Sequence, residues 1–151
     1  MRGDFDGDHK ADVALYRKNT GAPANTFFIL RSSDGVVTGT TFGNYALDYP
    51  VPGDFDGDSK TDFAVFRGRA GGDGFWYYLR SSNGAFVGQP FGAVGDQPVP
   101  GDYDGDGKTD PAVWRPGTPG TFYHLGSTSG VTGQAFGATG DIPPAFALQA
   151  K

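Results

Sequence analysis

Glutamate is absent from this chain: all 17 acidic residues among its 151 are aspartates. Glutamate is a strong helix former and a common general acid or base, so its absence argues against a helical enzyme. Cysteine is absent too, and methionine occurs once, at position 1. Disulfides and thiolate metal sites are thereby excluded, although no compartment is named. No apolar run approaches the roughly 18 residues that a spanning helix needs, so no membrane span is expected. The 12 lysines and arginines are scattered, with only Arg17 and Lys18 adjacent, in a chain of net charge −5. No basic stripe awaits a phosphate backbone, and nucleic acid is not an expected partner.

Glycine and aromatic residues are plentiful instead. The chain holds 26 Gly and 11 Pro beside 13 Phe, 7 Tyr and 2 Trp. That much Gly and Pro alone would suggest disorder, whereas the aromatic content supplies a core. Together they predict an all-β chain of short strands joined by tight turns.

Self-similarity organises the whole sequence. Gly3-Asp-Phe-Asp-Gly-Asp8 returns at Gly53 and, with Tyr for Phe, at Gly101. Each copy leads into a short apolar run ending in arginine: Asp12–Arg17, Asp62–Arg67 and Asp110–Arg115. A second run follows (27–30, 76–79, 122–125), then a Ser/Thr-rich turn closing on Gly35, Gly84 or Gly130. A third run ends at the Phe-Gly pairs 42–43, 91–92 and 136–137. Asp48-Tyr-Pro-Val-Pro52 and Asp96-Gln-Pro-Val-Pro100 lead back into the next Asp-rich loop. Four strands in a period near 48 residues is the mark of a β-propeller blade. The repeats run over about 3–52, 53–100 and 101–144 of a single unit spanning 1–151.

The first copy lacks its leading strand, while 141–148 matches that strand without a following loop. Such an offset predicts a displaced closing strand. Three blades are fewer than a closed ring needs, so the expected partner is a second copy, making six blades by homodimerisation. The other expectation is that further blades of a longer propeller supply the rest.

Each loop spaces its acids as Asp-x-Asp-Gly-Asp-x-Lys-x-Asp. The first loop offers Asp4, Asp6, Asp8 and Asp12; the second Asp54, Asp56, Asp58 and Asp62; the third Asp102, Asp104, Asp106 and Asp110. Two like charges about 4 Å apart near a surface repel by roughly 4 kcal/mol, so four carboxylates in nine residues call for a cation. Hard oxygens at positions 1, 3, 5 and 9, with the carbonyls of Lys10, Lys60 and Lys108 at position 7, suit calcium, and three sites per chain are expected. An EF-hand is excluded, because its twelfth-position acid would fall on Leu15, Val65 and Val113.

These loops, the Phe-Gly pairs and the Asp-x-Pro leads at Asp48, Asp96 and Asp141 resemble the FG-GAP/VCBS repeat family. That family includes the calcium-binding blades of integrin α-chain propellers and many bacterial extracellular proteins. The resemblance covers nearly the whole chain. It implies calcium held by the loop acids, a propeller fold and an extracellular or cell-surface role in adhesion or ligand binding, with any leader outside these residues. Loop position 6 is Gly only in the third copy (Gly107), with His9 and Ser59 in the others, which predicts weaker binding there.

Two function classes remain open. The first is a non-enzymatic module that binds carbohydrate or protein, with Trp76 and Trp114 as candidate sugar-stacking residues beside a core role for most of the aromatics. The second is part of, or an accessory to, a polysaccharide-degrading enzyme, or else a purely structural self-assembly module. Paired aspartates could in principle serve a glycosidase or a lyase, but every recurrent acid is explained by metal or turn geometry. Arg17, Arg67 and Arg115 are expected to pair with acids of the loop or of a neighbouring blade.

Overall fold

A computed structural model describes residues 2–21, 24–44, 47–68 and 71–143. These residues form three four-stranded antiparallel sheets with no helix among them. The first sheet holds β1 (Arg2–Gly3), β2 (Asp12–Arg17), β3 (Thr26–Leu30) and β4 (Val37–Thr41). The second holds β5 (Asp48–Pro50), β6 (Phe63–Gly68), β7 (Asp73–Leu79) and β8 (Phe86–Ala93). The third holds β9 (Gln97–Pro98), β10 (Ala112–Arg115), β11 (Thr121–Gly126) and β12 (Gly130–Ala135). Strand order follows chain order in every sheet, so each is a meander.

Sheet and repeat are offset by one strand. The Asp-x-Pro lead that closes each of the first two sequence repeats supplies the first strand of the following sheet. Asp48 pairs with Arg67 and Pro50 with Val65, while Pro98 pairs with Val113. In the first sheet β1 reaches only Val13 and Asp12. Most of the expected closing strand, 144–148, lies outside the described residues.

Glycine is required where the chain turns closest. Gly43 and Gly92, the second members of two Phe-Gly pairs, have φ of 97° and 95°. A Cβ on Gly43 would also lie 2.3 Å from the Tyr16 hydroxyl, so both backbone and space exclude a side chain there.

The core lies between sheets as well as within them. Val65 of β6 joins Ala14, Phe27 and Ile29 of the first sheet in one buried cluster. Val113 of β10 likewise joins Val51, Phe55, Ala64, Phe66 and Trp76 of the second. The middle sheet is therefore covered on both faces, which explains why 63–66 of its strand β6 is continuously apolar rather than alternating.

Trp76 and Trp114 are 0% and 2% exposed. Their role as sugar-stacking residues is corrected accordingly: Trp76 packs on Phe55 and Phe66, and Trp114 lies among Val99, Ala112 and Phe122. Rings so enclosed offer no face to a ligand.

Candidate metal centre

Each Asp-rich loop joins the first strand of its sheet to the second, and the spacing of its acids sets its internal bonding. The position-1 carboxylate curls the loop by accepting two backbone amides. Asp4 takes those of Gly7 (2.6 Å) and His9 (2.8 Å), Asp54 those of Gly57 (2.6 Å) and Ser59 (2.8 Å), and Asp102 those of Gly105 (2.6 Å) and Gly107 (3.1 Å). This curl drives position 6 into the left-handed region: φ is 65° at His9, 69° at Ser59 and 89° at Gly107. Only the third loop has the residue that takes this conformation without steric cost.

Position 9 closes the loop from beneath. Asp12, Asp62 and Asp110 are buried. One oxygen of each accepts the position-2 amide, from Phe5 (2.8 Å), Phe55 (2.9 Å) or Tyr103 (2.9 Å). The other accepts an amide of the third-to-fourth strand turn, from Ser32 (2.7 Å), Ser81 (2.7 Å) or Ser127 (3.1 Å). One buried carboxylate thus ties together segments about twenty residues apart. Burial pushes Asp62 up to about 6 and raises Asp110 in the same direction, against the pull of these amides.

Positions 3 and 5 point toward the same turn and meet hydroxyls. Ser33, Ser82 and Thr128 donate to Asp6 (2.6 Å), Asp56 (2.6 Å) and Asp104 (2.7 Å). Ser32 and Ser81 donate to Asp8 (2.8 Å) and Asp58 (2.8 Å), and Ser127 donates to Asp106. The Ser/Thr-rich turn was legible in the sequence as a turn. Its second task, holding loop acids across the sheet end, was signalled only by hydroxyls recurring at the same two positions in every copy.

Carboxylate oxygens converge in all three loops. Asp4, Asp6 and Asp8 each bring a ligand atom within 4.8 Å of the others, and so do Asp54, Asp56 and Asp58. In the third loop the grouped acids are Asp102, Asp104 and Asp110. Asp12, Asp62 and Asp106 stand outside these groupings. Lys10, Lys60 and Lys108 each donate their backbone amide at 2.8 Å to the position-5 carboxylate.

The donor set fits a hard divalent cation: carboxylates alone, with no imidazole or sulfur among them. Asp104 supplies a second test. Its Oδ1 is buried without a hydrogen-bond partner, although a carboxylate oxygen ordinarily has one when shielded from water. The Thr128 amide and hydroxyl, in that order, hold this carboxyl down to about 2 and keep it charged.

The recurrent arginines do not serve the loops. Arg67 makes a two-pronged pair with buried Asp48 (2.6 and 2.9 Å), and Arg115 does so with Asp96 (2.8 and 2.9 Å). Their partner is the lead aspartate, which closes the preceding sequence repeat but belongs to the same sheet; of the two expectations, the acid of the neighbouring repeat is the partner and the loop acid is not. Each guanidinium also covers an aromatic ring, Tyr77 at 4.8 Å and Tyr123 at 4.9 Å. A cleft of about 330 Å³ opens beside Arg67, between the first two sheets, lined by Phe42, Gly43, Asn44, Val65, Tyr77 and Phe86.

No helix among the described residues is long and apolar enough to cross a membrane. Comparison with protein-family models and with curated proteins finds no match for this chain.

Proposed function

We propose that this chain is a calcium-stabilised β-propeller module of the FG-GAP/VCBS type, non-enzymatic, that binds carbohydrate or protein outside the cell. The carrying observation is a three-carboxylate grouping at the same place in three sheets, from loop positions 1, 3 and 5 in the first two and from positions 1, 3 and 9 in the third, with a buried, unpartnered Asp104 oxygen in that third loop. In this reading the three sheets are blades; the position-1, -3 and -5 acids hold the ion in the first two loops with the buried position-9 acid supporting them from below, and Asp102, Asp104 and Asp110 hold it in the third. Bound calcium supplies charge neutralisation, which lets the loop remain curled without mutual repulsion.

For affinities of about 10⁻⁴ to 10⁻³ M, millimolar calcium stabilises the fold by roughly 0.4 to 1.4 kcal/mol per site. With the tryptophans enclosed, the ligand reading moves to the cleft between the first two sheets. There the exposed Phe86 ring offers apolar contact, while Tyr77 is covered by Arg67 and Arg67 is paired with Asp48.

The test is thermal unfolding with millimolar calcium, with magnesium and with chelator, on the parent chain and on Asp6→Asn/Asp56→Asn/Asp104→Asn. A calcium-specific rise in Tm that this variant loses is expected. Equal melting in calcium and chelator would remove the metal from the reading.

A further inference from the structure

The two contacts between consecutive sheets are built alike, and each end of the stack presents one half of the same contact. Between the first and second sheets, the Thr61 amide donates to the Asp4 carbonyl (2.6 Å). Lys60 lies over Gly7, and Val65 packs at Gly43, where its Cγ1 lies 3.3 Å from the place a Cβ would take. Between the second and third sheets, the Thr109 amide donates to the Asp54 carbonyl (2.6 Å). Lys108 lies over Gly57, and Val113 packs at Gly92 at 3.0 Å by the same measure.

Shifting that register by one unit names the residues left over. On the first sheet, Lys10, Ala11 and Leu15 take the places of Lys60, Thr61 and Val65, and all three are exposed, Leu15 by 65%. On the third sheet the complementary places are Gly105, Asp102 and Gly137. A Cβ on Gly105 would meet nothing within 4 Å, and Phe136 beside Gly137 is 72% exposed, whereas Phe42 and Phe91 are packed into clusters. The apolar surface at one end matches in position the glycine-lined surface at the other.

A charge pair is divided in the same way. Arg67 and Arg115 are each paired with a lead aspartate, but Arg17 forms no ion pair among the described residues, although it covers the Phe28 ring at 4.4 Å as they cover theirs. Asp141 has the corresponding turn bond, accepting the Ala138 amide at 2.8 Å as Asp96 accepts that of Ala93, and it pairs with no arginine among the described residues. Beyond Val13, the β2 edge that carries Arg17 is not covered by β1.

From these observations we infer that a second copy of this chain docks its first sheet onto the third sheet of the other, with Asp141 of one copy paired to Arg17 of its neighbour. Residues 141–143 then occupy the edge of β2 that β5 occupies on β6. Two reciprocal contacts join two copies into a closed pair, whereas a head-to-tail interface that does not close runs on into longer assemblies, which light scattering separates from the two-chain mass. This inference rests on the stacked-blade part of the proposed function and not on calcium.

The experiment exchanges the divided charges. Arg17→Asp and Asp141→Arg are made separately, and masses are measured by light scattering in calcium and in chelator. The parent is expected at the mass of two chains. Each variant alone sets like charges against each other at both contacts, weakening association by about 30-fold or more, and should run as a single chain. An equimolar mixture brings opposite charges together at both contacts, so the two-chain mass should return. Circular dichroism of each variant shows that it has folded, and a misfolded variant cannot be rescued by mixing. A monomeric parent, variants that still pair alone, or a mixture that stays monomeric would each overturn the proposal. The calcium reading is judged separately, by Tm, so either can fail without the other.

Discussion

Replacing Asp62 with alanine separates the folding role of the loop acids from their role toward an ion. Asp62 is 0% exposed and accepts the amides of Phe55 and Ser81 at 2.9 and 2.7 Å. Alanine leaves both N–H groups buried without an acceptor, at about 1 to 3 kcal/mol each. Removing a carboxylate that burial holds up to about 6 returns part of that loss at neutral pH. The net expectation is about 2 to 4 kcal/mol, and at roughly 2 to 4 °C per kcal/mol for a chain of this length Tm falls by about 5 to 15 °C. This loss belongs to the fold, so it should be present in chelator as well as in calcium. Asp56→Asn is the contrast. Its carboxylate is half-buried and bonded to the Ser82 hydroxyl, so in chelator the change should cost under about 1 kcal/mol, while the calcium increment disappears. Differential scanning calorimetry of both variants, with and without calcium, reads the two effects apart. If Asp62→Ala melted in chelator within a degree or two of the parent, the reasoning that position 9 is a backbone anchor would be refuted.

Three further outcomes follow from the same geometry. His9→Gly and Ser59→Gly relieve a left-handed φ at loop position 6; each should raise calcium affinity several-fold in calorimetric titration, while Gly107→Ala should lower it. In chelator, stability should decline as pH rises, because Asp62 titrates near 6 when folded against about 4 when unfolded; its contribution is complete below pH 4 and lost through pH 6, some 3 kcal/mol in all, and calcium should flatten or reverse that slope in pH-dependent melts. Asp48→Ala strands the Arg67 guanidinium beside a fully buried site and should cost about 3 to 5 kcal/mol in urea unfolding, more than Arg31→Ala at an exposed pair.

Much of this architecture was legible in the residues because the repeat states it three times. A single Asp-x-Asp-Gly-Asp segment is an acidic turn, but three at periods of 50 and 48 residues, each followed by an apolar run and a Phe-Gly pair, fix strand count and order. The offset between repeat and sheet was legible as well, since Asp48-Tyr-Pro-Val-Pro52 reads as a strand before a loop. Other features need distance in space. That Arg67 finds Asp48 rather than a loop acid depends on the register of β5 against β6, which spacing along the chain does not express. The burial of Trp76 and Trp114 depends on the packing around them. For the same reason, Leu15 stands in an apolar run like those of Val65 and Val113, yet it is 65% exposed, because among the described residues no sheet lies where one covers Val65 and Val113.

The loop acids show why spacing alone cannot apportion roles. Along the chain, positions 1, 3, 5 and 9 are equal carboxylates. In space, position 1 curls the loop, position 9 is buried on two amides, and positions 3 and 5 reach hydroxyls of a turn more than twenty residues away. An ion drawn to these acids would therefore act on three segments at once: the loop, the strand that follows it and the hairpin turn beside it. Its binding energy is then folding energy, since the ligand set is assembled only when the sheet is. That coupling would make stability the sensitive readout of any ion bound at these acids, because hydroxyl pair, buried aspartate and loop are joined in each unit.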